Sequence, residues 1–375
     1  MNREIKNRMV IFPVFIILFC IYIFPIGLID PNYTYSKLIF VLSIVLCYLF
    51  SLKHMRMSEL VYIMLIIILS ILSKNFNYFV FLTIPYLGKL LKEKDTIKAY
   101  LLTSNILYIC FFFTIIYSII FAGTNGRYAF TAIKEINQSG LALFCLGMMF
   151  IKKNRKIGIF ILLFGFLTFS RSYYLAILVC LLSRIKFVKK VISQDKVIKF
   201  FNYTNLTIIS SVILILLGAF YIQQYKLGNI VNNDFVSKRI LNFLDYSNFF
   251  RFTAIINIIF LFKSYPQNLL FGVTRSQYIE MGYHVASDIG IPYKYVVPHN
   301  LFYSHLKIYG IFSVIETVYI SKIIQKIINK ENILVFFAIV LYSFILGAGL
   351  YSYWLYLSSF VLLIRGEGEY ENTNN

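Results

Sequence analysis

Residues 157–183 read IGIFILLFGFLTFSRSYYLAILVCLLS, an apolar run of 27 residues whose one charged side chain is Arg171. Basic clusters flank the run on both sides, KKNRK at 152–156 and a stretch rich in Lys and Arg at 184–199. Because basic clusters beside membrane spans stay in the cytoplasm, a single span would leave one cluster outside. The run therefore predicts a helical hairpin with Arg171 near its apex, each limb about 13 residues and about 20 Å long.

The composition of the whole chain points the same way. Its 375 residues are 59% hydrophobic and 14% charged, and the mean hydropathy is +0.75. A soluble domain is about a quarter charged, so most of this chain must face lipid or other apolar helices. The formal net charge is +20, but Lys and Arg fall in short clusters between apolar runs. That pattern indicates membrane topology and argues against a nucleic-acid partner.

With the basic clusters inside, the sequence predicts an all-α polytopic transmembrane helical bundle of about 12 spans with both termini cytoplasmic. The predicted spans are 9–29, 38–52, 58–72, 78–91, 99–121, 140–151, 157–169, 172–183, 205–222, 299–320, 333–349 and 353–364. We expect a single transmembrane domain at 1–365 and a polar cytoplasmic tail at 366–375. The first apolar run reads as an uncleaved span, because no small-residue cleavage site follows it.

One large external loop, 223–298, lies between spans 9 and 10 of this topology. It contains a second apolar run, FFRFTAIINIIFLF at 249–262, which is interrupted by Arg251. Counting this run as a span would place the basic segment 322–330 outside. We therefore predict an external interfacial helix, packed on the bundle or lying at the bilayer surface. It should end before Pro266, and the rest of the segment should be loop.

The polar groups predicted on the external side are rich in Arg, Lys and His and poor in paired carboxylates. That balance suits an anionic substrate, because guanidinium groups bind phosphate oxygens bidentately. No metal site is predicted: His299 and His305 are six residues apart, about 240° around a helix, and no Cys or carboxylate completes a ligand set. A Gly-rich phosphate loop, a serine nucleophile elbow and an HExxH segment are also missing from the sequence.

Three short motifs follow one another in the second half of the chain. They are Thr168-Phe169-Ser170-Arg171-Ser172 before the second hairpin limb; Asn248-Phe249-Phe250-Arg251 followed by Leu270-Phe271-Gly272; and Pro298-His299-Asn300 followed by Gly310. In order and spacing they resemble the O-antigen polymerase and O-antigen ligase superfamily of bacterial polysaccharide assembly. Those proteins show a Thr-x-Ser-Arg step, an Arg ahead of a Pro-x-x-x-Gly segment, and a His-Asn pair followed by Gly. The resemblance covers roughly residues 137–316.

The resemblance implies a multi-pass enzyme of the bacterial cytoplasmic (inner) membrane that moves a glycan from polyprenyl pyrophosphate to an acceptor sugar hydroxyl, with no cofactor. The short chain and the divergent motifs favour a polymerase of repeat units for a surface polysaccharide, O-antigen or capsule. The alternatives are a ligase that transfers the finished glycan and a non-enzymatic flippase of lipid-linked oligosaccharides. Implied partners are the polyprenyl-pyrophosphate-linked oligosaccharide, the lipid bilayer, a chain-length regulator and a flippase.

The residues implied at the site are cations and one histidine. Arg171 and Arg251 would stabilise the charge on the departing pyrophosphate, and His299 would be the base for the acceptor hydroxyl or a pyrophosphate ligand. The residues implied in substrate binding are Ser170, Asn300, His305 and Arg275. We expect the external segment to form a lid over one outer-leaflet cleft that holds these groups.

Five of these residues also have a purely structural interpretation. The alternatives are a snorkelling Arg171, a water-facing Arg251, a helix-capping His299, a His305 that satisfies a buried hydrogen bond, and an Arg275 solvated in a loop.

Overall fold

The computed structural model of the protein describes residues 57–73, 112, 123–124, 127–128, 140–141, 143–144, 147–148, 150–151, 154–182, 185–192, 195–200, 202–231, 243–296, 300–325, 333, 335–338 and 340. Its helices are α1 (Met57–Leu72), α2 (Arg155–Phe166), α3 (Arg171–Leu182), α4 (Lys186–Ile192), α5 (Asp195–Phe200), α6 (Tyr203–Lys226), α7 (Tyr246–Ser264), α8 (Asn268–Phe271), α9 (Arg275–Asp288), α10 (Leu301–Tyr309) and α11 (Phe312–Ile324). Strands β1 (Gly123–Thr124) and β2 (Arg127–Tyr128) pair antiparallel.

The helical class predicted from the sequence is confirmed for the described residues. Among them, α6 is the one helix long and apolar enough to cross a membrane by length and composition, and it contains the predicted span 205–222. The described positions of 140–151 and 333–349 are helical. Outside the described residues lie the predicted spans 9–29, 38–52, 78–91 and 353–364, nearly all of 99–121, and the tail 366–375.

The chain divides into two compact units. Unit 1 is Met1–Leu182, Leu334–Ile339 and Leu350–Asn375, and unit 2 is Ser183–Ile333 and Val340–Gly349. Helices α1 to α3 and the β-hairpin belong to unit 1, and helices α4 to α11 belong to unit 2. The single transmembrane domain expected at 1–365 stays a prediction.

The hairpin predicted at 157–183 is confirmed in unit 1 as α2 and α3, which have 12 residues each. Asn154 begins the first helix as its N-cap, because its side chain accepts the Ile157 N–H. Tyr173 joins the two limbs: its ring packs against Gly165, and its hydroxyl donates to a backbone carbonyl of α2. The glycine is required here because an added Cβ would overlap the tyrosine ring.

The core of unit 2 is the antiparallel packing of α7 on α6. The pairs along this interface are Tyr225–Phe249 and Tyr221–Phe252, stacked with ring centroids 4.9 and 5.1 Å apart, and Gly218–Ile256, where an added Cβ would lie 2.6 Å from Cγ1. Residue numbers rise along α7 as they fall along α6, so the two helices run in opposite directions. At the other end of α6, the Thr204 N–H lies 3.4 Å from the Ser321 hydroxyl of α11.

Helix α7 contains the predicted interfacial helix and extends it at both ends, to Tyr246 and Ser264. Ten of its 19 residues are buried, and it ends before Pro266 as expected. Helix α7 packs on other helices of unit 2. Its position relative to a bilayer stays a prediction.

The segment after α7 corrects the sequence analysis, because the part predicted as loop contains the 14-residue helix α9. Thr274 and Gln277 form a capping box at its start. Three of its buried residues, Tyr278, Gly282 and Val285, follow helical spacing, and Tyr278 and Val285 join a hydrophobic cluster with α7. The Thr-x-x-Gln pattern and the helical spacing were readable in the sequence, and the prediction of loop was wrong.

A second correction concerns the predicted span 299–320, which is not one helix. It breaks at Gly310, where φ is 57° and ψ is −137°, into α10 and α11. The chain preceding α9 fills the break: Ile311 N–H donates to the Leu269 carbonyl at 2.8 Å. An added Cβ on Gly310 would also lie 2.8 Å from Gly272 N. A segment distant in the sequence therefore causes the break. The local sequence around Gly310 carries no strong helix-breaking signal.

Replacing Gly218 by leucine is expected to destabilise the α6–α7 pair by about 2 kcal/mol, because the new side chain overpacks a filled interface. Thermal unfolding of the purified full-length protein in detergent measures this loss. Ala219→Leu is the matched control, since Ala219 is exposed on the same helix and its replacement should change stability by less than about 0.5 kcal/mol. Equal effects from the two changes would contradict the packing described.

Candidate functional site

The apex of the unit 1 hairpin holds two of the predicted site residues, Ser170 and Arg171. Ser170 is buried, and its carbonyl accepts the backbone N–H groups of Tyr173 at 3.0 Å and Tyr174 at 3.2 Å. Arg171 is the first residue of α3 and is half-buried. Phe169, just before them, has φ 47°, a left-handed conformation that costs a bulky residue about 1–3 kcal/mol. The turn therefore holds the backbone of Arg171 in a defined place.

Arg171 lies at the positive end of its own helix. The N-terminus of an α-helix carries a partial positive charge, so a cation there is unfavourable and an anion is favourable. Arg171 begins a helix of 12 apolar-rich residues. The hairpin apex thus places a cationic side chain at the positive end of a helix.

Arg251 lies in the second turn of α7, half-buried. The start of this helix is fixed by Asp245, a buried N-cap whose carboxylate accepts the Asn248 N–H at 2.7 Å. Asn248 in turn donates its side-chain amide to the Phe243 carbonyl at 3.0 Å. These bonds set the position of the motif that carries Arg251, and its predicted role stays a prediction.

The third motif is described from Asn300 onward, and His299 lies outside the described residues. Asn300 is buried and caps α10, with its side-chain oxygen accepting the Tyr303 N–H at 3.0 Å. His305 is buried on α10, and its Nδ1 lies 2.8 Å from Oε2 of Glu316 on α11. Asn300 and His305 thus have structural tasks in holding α10 in place, and their substrate-binding roles stay predictions.

Next to this motif lies a cationic cluster whose central residue, Lys307, the sequence analysis missed. Lys307 is only 5% exposed. Its Nζ lies 4.7 Å from the ring centroid of Tyr278 and 5.8 Å from that of Tyr295. The guanidinium carbon of Arg275, a predicted site residue, lies 5.1 Å from the same Tyr295 ring. The signal that would have found Lys307 is a lysine inside a predicted span.

Backbone contacts assemble the Lys307 cluster from two distant segments. The Val273 N–H donates to the Lys307 carbonyl at 2.7 Å. Gly272 permits this approach, because an added Cβ would lie 2.7 Å from the same carbonyl oxygen and closer still to Ile308. Thr274 then caps α9, and Arg275 follows as its first residue. The lysine and the arginine are therefore brought together by folding and not by sequence proximity.

The electrostatic balance of the cluster is positive. Within the part of the chain that the structure describes, neither Lys307 nor Arg275 forms an ion pair with a carboxylate. Burial raises the pKa of Tyr278 above its ordinary value, so this ring is a neutral phenol and no phenolate balances the lysine. Such a cluster is suited to bind an anion.

The predicted site residues fall into both units. Ser170 and Arg171 belong to unit 1, and Arg251, Arg275, Asn300 and His305 belong to unit 2. Within unit 2, α9 docks on α7, where the Tyr278 hydroxyl lies 3.5 Å from the Ala254 carbonyl, about one turn along the helix from Arg251. A common cleft for the residues of both units, and the lid over it, stay predictions.

Among the described residues, no group of three or more His, Cys, Asp or Glu side chains is placed to hold a metal ion. In comparisons with known proteins, no family model, no curated protein and no solved structure matches the chain.

Proposed function

We propose that the protein is a multi-pass membrane glycosyltransferase that polymerises polyprenyl-pyrophosphate-linked oligosaccharide repeat units into a surface polysaccharide at the outer face of the bacterial cytoplasmic membrane. The observation that carries the proposal is the Thr-Phe-Ser-Arg turn at the apex of the α2–α3 hairpin. Helices of 12 residues are about 18 Å long, shorter than the roughly 30 Å hydrocarbon core. Within a bilayer, Arg171 would lie below the surface, where an arginine requires water or an anionic partner.

The reaction needs only positioned side chains and no metal. The acceptor sugar hydroxyl oxygen attacks the anomeric carbon of the donor glycan, and the bond from that carbon to the pyrophosphate oxygen breaks. Arg171 and Arg251 stabilise the negative charge that develops on the departing polyprenyl pyrophosphate. His299 accepts the hydroxyl proton, a task for which the ordinary pKa range of histidine is suited.

Unit 2 supports the proposal in two ways. The described part of the 223–298 segment is folded, with α7 packed antiparallel on α6, so Arg251 is held on a rigid helix. The Lys307–Arg275 cluster adds positive charge without a carboxylate partner among the described residues, as an anionic lipid-linked substrate requires. A flippase of inverted-repeat design would instead place its charges around a central cavity between two related halves.

The test is complementation of a strain in which the gene is deleted. Arg171→Ala protein that inserts normally should lose polymer by about 100-fold or more, the usual effect of removing a group that stabilises transition-state charge. Single repeat units should then appear on an otherwise intact acceptor. Arg155→Ala is the matched control and should restore full polymer, because Arg155 is exposed at the start of the same hairpin.

Other glycan profiles would identify other functions. Polymer that stays on its lipid carrier in the deletion strain indicates a ligase, and lipid-linked units held in the cytoplasm indicate a flippase. Full polymer from both the Arg171→Ala and the His299→Ala proteins would show that neither residue is catalytic.

A further inference from the structure

We propose that Lys307 and Arg275 form a phosphate-binding site in unit 2, built on the faces of Tyr278 and Tyr295. The ligand class is a phosphate oxyanion, carried either by a lipid headgroup or by a pyrophosphate. The proposed site does not include Arg171 or Arg251. The proposal rests on the geometry of the cluster and not on the proposed glycosyl transfer.

Lys307 is buried, with only 5% of it exposed. Lysine is almost never fully buried unless it is paired, because removing an ammonium from water is costly. The ammonium lies against two tyrosine rings, at 4.7 and 5.8 Å from their centroids, and in the described part of the chain it has no carboxylate partner. A ring quadrupole offsets only part of the desolvation cost. An anion beside the ammonium would offset the remainder.

A second cation, Arg275, adds to the positive charge beside Lys307. The Arg275 guanidinium lies 5.1 Å from the centroid of Tyr295, the ring that Lys307 also contacts. Like charges repel, so an arrangement that holds both on one ring is stabilised by an anion between or beside them. The pair also suits the chemistry of phosphate, since Arg supplies a planar fork of donors and Lys a compact point charge.

The start of α9 lies beside the same cluster, because Arg275 belongs to both. Arg275 is the first residue of this 14-residue helix, whose N-terminal dipole favours an anion. The capping box uses the Thr274 side chain for the Gln277 N–H, and the Val273 N–H is bonded to the Lys307 carbonyl. The helix end and the buried lysine are thereby held together as one rigid site, so little ordering is needed when a ligand binds.

The experiment measures binding of three phosphate probes to the purified full-length protein. The probes are polyprenyl pyrophosphate in detergent, inorganic pyrophosphate, and nanodiscs of phosphatidylglycerol against phosphatidylcholine. The native protein should bind at least one of the phosphate probes, and Lys307→Met should weaken that binding by 10-fold or more. Binding of the polyprenyl probe alone identifies a lipid pyrophosphate, binding of inorganic pyrophosphate as well identifies a phosphate group without its lipid, and a phosphatidylglycerol preference identifies a headgroup.

Two further variants keep the result unambiguous. Arg275→Gln changes an exposed residue, so it should leave folding intact. It should weaken binding of the same probe by several-fold. Lys294→Met is the matched control: it removes an exposed lysine from the Phe250 ring, 5.7 Å away, and should leave binding unchanged. A purely structural Lys307 would lower the melting temperature on replacement by Met, with every affinity unchanged, and that outcome would overturn the proposal. Native binding of all probes by Lys307→Met or by Arg275→Gln would do the same.

This result is independent of the polymer assay. A failed phosphate site leaves Arg171 and Arg251 in their proposed roles, and failure of the Arg171→Ala test leaves the binding data for Lys307 standing.

Discussion

Replacing Gly272 by alanine should destabilise unit 2 by about 4 kcal/mol, the sum of backbone strain and steric overlap. Gly272 has φ 75° and ψ −166°, a region that side chains other than glycine rarely adopt. A Cβ there would also meet the backbone of Ile308 and lie 2.7 Å from the Lys307 carbonyl oxygen. The backbone of α10 cannot move away without breaking its bond to Val273. Thermal unfolding in detergent, together with the yield of monodisperse protein, measures the loss.

Gly290→Ala is the control for that experiment. Gly290 also has a positive φ, 69°, so alanine there meets a backbone cost, but nothing lies within 4 Å of the added Cβ. The expected loss is about 1 kcal/mol. If Gly272→Ala and Gly290→Ala lower stability equally, the close approach of α10 to the chain before α9 is wrong, and with it the assembly of the Lys307 cluster.

Removing His305 should be more damaging than removing its partner Glu316. The two side chains are buried, and Nδ1 lies 2.8 Å from Oε2 between α10 and α11. His305→Leu leaves a buried carboxylate without its hydrogen-bond donor, which costs about 3–5 kcal/mol. Glu316→Leu leaves an imidazole N–H without its acceptor, at a cost of about 1–3 kcal/mol. Thermal unfolding of the full-length variants in detergent measures the two losses.

The double variant completes the cycle. His305→Leu with Glu316→Leu removes both polar groups, so its loss should be smaller than the sum of the single losses by about 2 kcal/mol. Glu280→Leu, which changes an exposed glutamate in the same unit, should alter stability by less than about 0.5 kcal/mol. Additive losses would show that the pair does not couple α10 to α11. Polymer synthesis by the double variant also tests the role of His305. A folded double variant that makes polymer indicates a structural His305, and a folded one that makes none indicates a substrate-binding His305.

The elements predicted well are those whose signals lie within the element or beside it. The α2–α3 hairpin follows from an apolar run between two basic clusters, and the Thr168–Ser172 turn marks its apex. Helix α6 follows from a long apolar run, and α7 from a second run that ends before Pro266. In each case local hydrophobicity and a local stop signal are sufficient.

The elements that were missed depend on contacts between distant residues. Helix α9 carries a readable capping box, but Tyr278 and Val285 form an apolar face only once α7 lies against them. The break at Gly310 exists because the chain near Leu269 occupies that place. In the sequence, Lys307 is a lone lysine inside a predicted span, and only the fold places it against Tyr278 and Tyr295.

By itself, the sequence determined the helical class and the short hairpin with Arg171 at its apex. These follow from hydrophobic patterning and charge placement, which act over a few turns of chain. Only the tertiary structure decided which cations meet in unit 2, because Val273 and Lys307, 34 positions apart in the sequence, are joined by one backbone hydrogen bond. Burial and the choice of charge partners are properties of packing, and no local pattern encodes them.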